Sequence, residues 1–293
     1  DHRDLHSFPT RRSSDLYHFA FPVRVQLNAN FHGVMDMVED GDDRMLERNG
    51  LNPLGALYKI YNQDNVTAVE KKTRKEEGID DLLALTNGLS TTRALSLRQQ
   101  YAFDNLDLPA TVNYIAARYI NSDHDHGHKN LYLFRETGVT DEWQPLVWDV
   151  DLSWGHVFNA TSSNNIWGKT LGYFDDFLKT DVGFSGGGNA VYRIIYDTPE
   201  LRQMLFRRIR TLMDAWLQPP GTVNGIFETK MREIAATVDP DPADPSPWTD
   251  GDLDMAKWGT SAYFTTNRPR EEVERVIARS EEHTSELQSR ITI

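Results

Sequence analysis

The sequence predicts an α+β chain, strand-rich in its first portion and mainly helical afterwards. Two alternating apolar runs, Phe19–Leu27 and Phe31–Val38, flank Asn28-Ala29-Asn30, the pattern of paired strands joined by a turn. Beyond Asp80, apolar residues recur at helical spacing, most plainly at Leu201, Leu205, Ile209, Leu212, Met213 and Trp216. A third observation interrupts the helices. Leu131–Phe134 and Gln144–Val150 alternate like the two strands of a hairpin. With 39% hydrophobic and 11% aromatic residues, the chain can bury a core as one large domain or two small lobes sharing a cleft.

The ends are set aside first. Phe8–Leu16 (F-P-T-R-R-S-S-D-L) and Arg279–Ser289 (R-S-E-E-H-T-S-E-L-Q-S) resemble translated sequencing-adapter sequence. Residues 1–16 and 279–293 are therefore excluded from fold reasoning, and the remaining 17–278 are expected to be a fragment preceded by further strands.

Within that span the elements follow in order. Gly41 to Gly50 reads as a short helix closed by Asn49-Gly50, and Ala56–Tyr61 as a strand carrying Lys59. Val66–Gly78, with K-K-T-R-K-E-E, reads as a solvated charged loop. Asp80 to Ile120 is helical. Leu82, Leu83, Leu85 and Leu89 form one apolar face and Leu95 to Phe103 another. Asp107-Leu108-Pro109 caps a third helix, Ala110–Ile120, whose buried side holds Val112, Ile115, Ala116 and Tyr119.

After the hairpin comes a polar connector with Asn159, Ser162 and Asn165, then a glycine-rich stretch, Val182–Asn189, ahead of a helix at Ala190–Tyr196. Backbone amides there could cradle a phosphate. The stretch lacks the Lys of G-x-x-x-x-G-K-[ST], so it reads as a flexible connection. Thr198-Pro199-Glu200 opens the clearest helix, which Pro219-Pro220-Gly221 ends. A helix over Val223–Val238, a rigid acidic linker over Asp239–Pro247 and a last helix over Arg270–Ala278 complete the chain. No internal repeat is present.

Charge and composition exclude several functions. The chain carries 31 Lys and Arg against 44 Asp and Glu, for a net charge of −13. Nucleic-acid binding needs basic surface for phosphate contacts, so no nucleic-acid partner is expected. The acidity suits a basic protein substrate, or solubility alone. No apolar run approaches the roughly 18 residues of a membrane span. The absence of Cys rules out disulfides, zinc–thiolate sites and thiol nucleophiles, but does not fix the compartment.

The chemistry concentrates between Asn121 and Gly155. Asp123 and Asp125 precede the first hairpin strand, and Asp149 and Asp151 stand at the end of the second. A hairpin brings these points together. Asp125 and Asn130 have the Asp-x4-Asn spacing of a phosphotransferase catalytic loop, in which the Asp orients a hydroxyl and the Asn holds a metal ion. An acid one hairpin later, Asp151 or Asp149, would complete an oxygen-rich site suited to magnesium. His124, His126 and His128 offer an alternative transition-metal site, although Gly127 favours a loop there.

Lys129-Asn130-Leu131-Tyr132-Leu133-Phe134 and Trp148-Asp149-Val150-Asp151-Leu152-Ser153-Trp154-Gly155 resemble the spore-coat-protein-H (CotH) kinase family. Its pattern runs like D-x-x-x-K-N-x-Y-x-Y followed by P-W-D-x-D-x-x-[FW]-G. Val25–Asp40 and Gly55–Lys59 resemble, more weakly, the family's L-N-G-x-Y-x-G-x-Y-x-x-x-E and G-x-L-Y-K segments. This chain has two candidate acids, Asp123 and Asp125, where the family shows one. Spacing favours Asp125.

The resemblance implies an atypical protein-kinase-like fold, with a truncated strand-rich N-terminal lobe (17–79) and a mainly helical C-terminal lobe (80–278). It implies Mg2+- or Mn2+-dependent transfer of the ATP γ-phosphoryl group to Ser or Thr of a protein substrate, basic or Ser-rich. Asp125 or Asp123 would be catalytic. Asn130, Asp151 and Asp149 would hold metal, and Lys59, Glu39, Trp148 and Lys129 would bind nucleotide. A pseudokinase or binding module, and a metal-dependent hydrolase using the His-Asp cluster, are the alternatives.

Overall fold

The computed structural model describes residues 17–61, 68–121, 123, 127, 129–154, 189–217, 225–240, 248–259 and 268–290. They form an α+β architecture. Strands β1 (Ala20–Leu27) and β2 (Asn30–Val38) pair antiparallel as a two-stranded sheet. They turn through Asn28 and Ala29 at φ 51° and 64°. Left-handed backbone at both central positions matches the twist of a hairpin. Helix α1 (Asp43–Arg48) follows, its first turn capped by the Asp42 side chain, which accepts from the Arg44 and Met45 N–H groups.

The central sheet has the order β4-β3-β5-β6, all antiparallel: β3 (Ala56–Ile60), β4 (Val69–Lys71), β5 (Leu131–Arg135) and β6 (Trp143–Val147). Side chains alternate across it. Ala56, Tyr58, Ile60, Leu131 and Leu133 face the main core. There they meet α2 (Asp80–Leu89), α3 (Leu95–Asn105), α4 (Leu108–Ile120), α5 (Ala190–Asp197) and α6 (Pro199–Trp216). Leu57, Tyr132, Phe134 and Leu146 face the other way and pack with Met45 and Leu46 of α1. Lys59 alternates with Leu57 and therefore shares this second face.

The stripe expected on α6 is in place except at its end: Leu201, Leu205, Ile209, Leu212 and Met213 are buried in the main core, with Val112, Ile115, Ala116 and Tyr119 of α4, whereas Trp216 in the last turn is exposed. Full burial of each such side chain contributes about 1.5–3 kcal/mol. Asp107 caps α4, accepting from Ala110 N–H at 2.9 Å, with Pro109 in the first turn.

Four expectations change. The charged run contains strand β4, not only loop. Lys72 is paired, 3.0 Å from Asp40 and 3.2 Å from Glu70, whereas Arg74 to Glu77 beyond the strand are exposed, as expected. Strand β6 ends at Val147 rather than Val150, because Asp149 takes a left-handed φ of 53° and breaks the extended run. Helix α8 (Asp250–Trp258) follows α7 (Ile226–Ala236), where no helix was expected. Thr249 and Asp252 form a capping box there, a signal present in the sequence as Thr-x-x-Asp. Helix α9 runs from Pro269 to Arg290, past the expected end at Ala278. Residues 241–247 of the expected linker lie outside the described residues. No helix among the described residues is long and apolar enough to cross a membrane.

Helix α8 covers the outer edge of β2. Asp254 accepts from Val34 N–H at 2.8 Å, and the Trp258 indole N–H donates to the His32 carbonyl at 2.8 Å. Arg24 of β1 pairs with Asp250.

Gly41 joins β2 to α1 where a Cβ would overlap the buried Tyr132 ring. Gly41→Ala should therefore lower unfolding free energy by about 1–3 kcal/mol in urea titration, the range for overpacking a close-packed site.

Candidate functional site

The site is built on the last turn of α4. Arg118 lies four residues after Tyr114, on the same helix face, and is only 1% exposed. A guanidinium has five N–H donors in a rigid plane. All five have acceptors here. Nε donates to the Tyr114 hydroxyl at 3.2 Å. Nη1 donates to the Asp123 carboxylate and, at 3.3 Å, to the Asp149 carbonyl. Nη2 donates to the Asn130 carbonyl at 2.5 Å and the Trp148 carbonyl at 2.6 Å. Burial opposes the cation, but Tyr114 and Asp123 beside it push its pKa upward overall.

One side chain thus gathers the segment before β5 and the segment after β6. The ladder does the same from the other direction, since Leu131 pairs with Val147. Asn121, which caps the C-terminus of α4, adds a third tie. Its carbonyl accepts from Trp154 N–H at 2.7 Å and its side chain from Asp123 N–H at 3.2 Å. Asn130, Asp149 and Trp154 have φ of 60°, 53° and 55°. Asn and Asp tolerate this conformation; a Trp there is a strained outlier. Strain of this kind persists only where surrounding contacts impose it, and it clusters at functional sites.

These constraints sort the expected site residues. Asp123 is fully buried in its ion pair with Arg118. In this geometry the Asp123 carboxylate is taken up by Arg118 and holds the chain between α4 and β5 to that helix. Asp125 lies outside the described residues, as do His124, His126, His128, Asn159, Ser162, Asn165 and the glycine-rich residues 182–188. Asn130 is 8% exposed, whereas Asp149 and Asp151 are exposed. Lys129, half-buried, immediately precedes Asn130. An amide oxygen and two accessible carboxylates are hard oxygen donors, the set magnesium or manganese prefers. Among the described residues, no group of three or more His, Asp or Glu is placed to hold a metal ion.

Lys59 stands beside this hairpin end, on the second face of the sheet. Its ammonium lies 4.2 Å from the Trp148 ring centroid, 5.4 Å from Tyr61 and 5.9 Å from Tyr132. His18 stacks on Tyr132 and meets Trp148 edge-on. Glu39, expected to accompany Lys59, is instead engaged by Arg48, whose Nε donates to it at 2.8 Å. That contact, above all, holds Glu39 below the usual carboxylate range. The cross-strand neighbour of Lys59 is Glu70 of β4. The Tyr61 hydroxyl donates to Glu70 at 2.9 Å, and this bond leads the causes that lower its pKa, with Lys72 and Lys59 contributing.

Sequence reasoning missed Arg118 and Glu70. Arg is ordinarily an exposed residue, and nothing in a single sequence marks one as buried. Glu70 was hidden by the loop reading of its charged run. The site is an oxygen-rich hairpin end beside a lysine and an aromatic wall in an α+β chain. The family comparison narrows this: the CotH kinase protein model matches residues 16–275. The chain belongs to the CotH kinase family. No curated protein matches it.

Removing Arg118 takes away the cation against which the Asp123 carboxylate is buried. Arg118→Met should lower unfolding free energy by about 3–5 kcal/mol in urea titration, whereas Arg118→Met with Asp123→Leu should recover part of that loss.

Proposed function

We propose that this chain is a metal-dependent phosphotransferase that moves the ATP γ-phosphoryl group to a Ser or Thr hydroxyl of a protein substrate. The observation that carries the reading is the five-bond Arg118 hub, which fixes Asn130 and the Asp149–Asp151 segment at one end of the hairpin. Family membership supports the kinase class, and the oxygen donors and adjacent lysine support phosphoryl chemistry.

In this reading Asn130, Asp151 and Asp149 would hold Mg2+ or Mn2+, which when bound neutralises phosphate charge. Asp125 orients the substrate hydroxyl and accepts its proton as oxygen attacks the γ-phosphorus. The bond from that phosphorus to the β-phosphate oxygen breaks, and ADP leaves. Lys59 supplies a fixed positive charge to the phosphates, with Glu70 and the Trp148 ring limiting where its ammonium can sit. Trp148 and Lys129 border the nucleotide. Such catalysis is positioning and electrostatic stabilisation, with no covalent intermediate on the protein. The substrate is a protein segment bearing Ser or Thr, and the acidic chain favours a basic one. Nucleic acid is not a partner in this reading.

Calorimetric titration with Mg-ATP tests this. Saturable binding that needs the metal and weakens at least about tenfold in Asp151→Ala is expected, with turnover reduced by two or more orders of magnitude. Mg-ATP affinity unchanged in Asp151→Ala would overturn the metal assignment. Binding without any transfer would favour the pseudokinase reading.

A further inference from the structure

Asn189 closes the glycine-rich stretch, yet its side chain is among the most buried polar groups in the chain, 1% exposed. Its Oδ1 caps α5, accepting from Val191 N–H at 2.9 Å and Tyr192 N–H at 3.3 Å. A cap needs only that acceptor, and Ser, Thr or Asp would serve as well. The amide end does something a cap does not require. Nδ2 donates at 2.8 Å to the carbonyl of Gly127, which lies 62 residues earlier in the acid-bearing turn. Gly127 is buried and has φ of 100°, a conformation open to glycine and strained for other residues.

We propose that Asn189 is a positioning residue for the acid-bearing turn between α4 and β5. The turn has two anchors, Asp123 on Arg118 and Gly127 on Asn189, and Asp125 is two residues from each. The first anchor belongs to α4. The second belongs to α5, whose Val191, Ile194 and Ile195 are buried in the main core. The two anchors therefore come from two different helices of the main core. Displacement of a reacting group by about 1 Å can cost about a hundredfold in rate. Asn is the side chain that supplies both the cap acceptor and an N–H donor at one position.

The kinetic consequence rests on the phosphotransfer reading; the structural one does not. Asn189→Asp keeps a cap acceptor and removes the donor. Asn189→Ser keeps a cap and is too short to reach Gly127, so it carries the test should a buried carboxylate unfold the first variant. For a folded variant, kcat on a Ser-containing basic peptide should fall about 10–100-fold, with KM for Mg-ATP within about twofold. Amide hydrogen exchange over residues 123–130 should rise about tenfold, while exchange within α5 stays unchanged. Unchanged exchange across 123–130 would overturn the proposal, whether or not the chain transfers phosphate. Faster exchange with no transfer in the parent protein would uphold the anchor and count against the phosphotransfer reading instead. Equal losses in kcat and Mg-ATP binding would assign Asn189 a merely structural role.

Discussion

The Arg118 guanidinium is the interaction on which the rest of the site depends. Taking such a charge out of water is costly, and an ion pair alone seldom offsets it. Here the offset comes from complete satisfaction. Asp123 balances the charge, and three carbonyls and a hydroxyl take the remaining donors. A lysine could supply at most three donors from a single point, without the planar fork. The acceptors belong to segments far apart in sequence, so the contact joins tertiary structure instead of merely decorating it.

This hub divides work between the two faces of the central sheet. One face is almost wholly apolar and binds the helices, which gives β5 and β6 a rigid base. The other carries Lys59, Tyr132 and the ring of Trp148, together with the small cluster around α1. Where the strands end, three non-glycine residues adopt left-handed backbone within a few residues of the hub. Asn130 and Asp149 adopt it readily, while at Trp154 it costs on the order of 1–3 kcal/mol and needs the contacts that impose it. Fold stability is in effect spent on fixing the backbone at the buried Asn130 and beside the exposed Asp149 and Asp151.

Much of this was legible in the sequence, for identifiable reasons. Period-2 and period-3.6 patterns located both hairpins and the α4 and α6 stripes, because burial of one face leaves a local signature. The meeting of the segments that bear Asp123, Asn130 and Asp149 followed from hairpin geometry, and Arg118 joins them. What escaped depends on long-range partners. Arg118 and Asn189 are polar residues whose burial is decided by groups up to 62 residues away. Glu39 is engaged by Arg48 and Glu70 stands across from Lys59, because strand register, which a charged run conceals, set the neighbour of Lys59. Helix α8 announced itself through Thr249 and Asp252, but the Pro- and Asp-rich residues ahead of it obscured the signal.

The central claim is that the Arg118-clamped end of the hairpin is where a metal–nucleotide complex sits. Paramagnetic broadening in a heteronuclear spectrum tests it most directly, with Mn2+ and ATP titrated into isotopically labelled protein. The account predicts that the amide signals of Asn130, Asp149 and Asp151 broaden first, and only when nucleotide and metal are both present. Broadening centred away from that hairpin end, or none at saturating Mn-ATP, would contradict it.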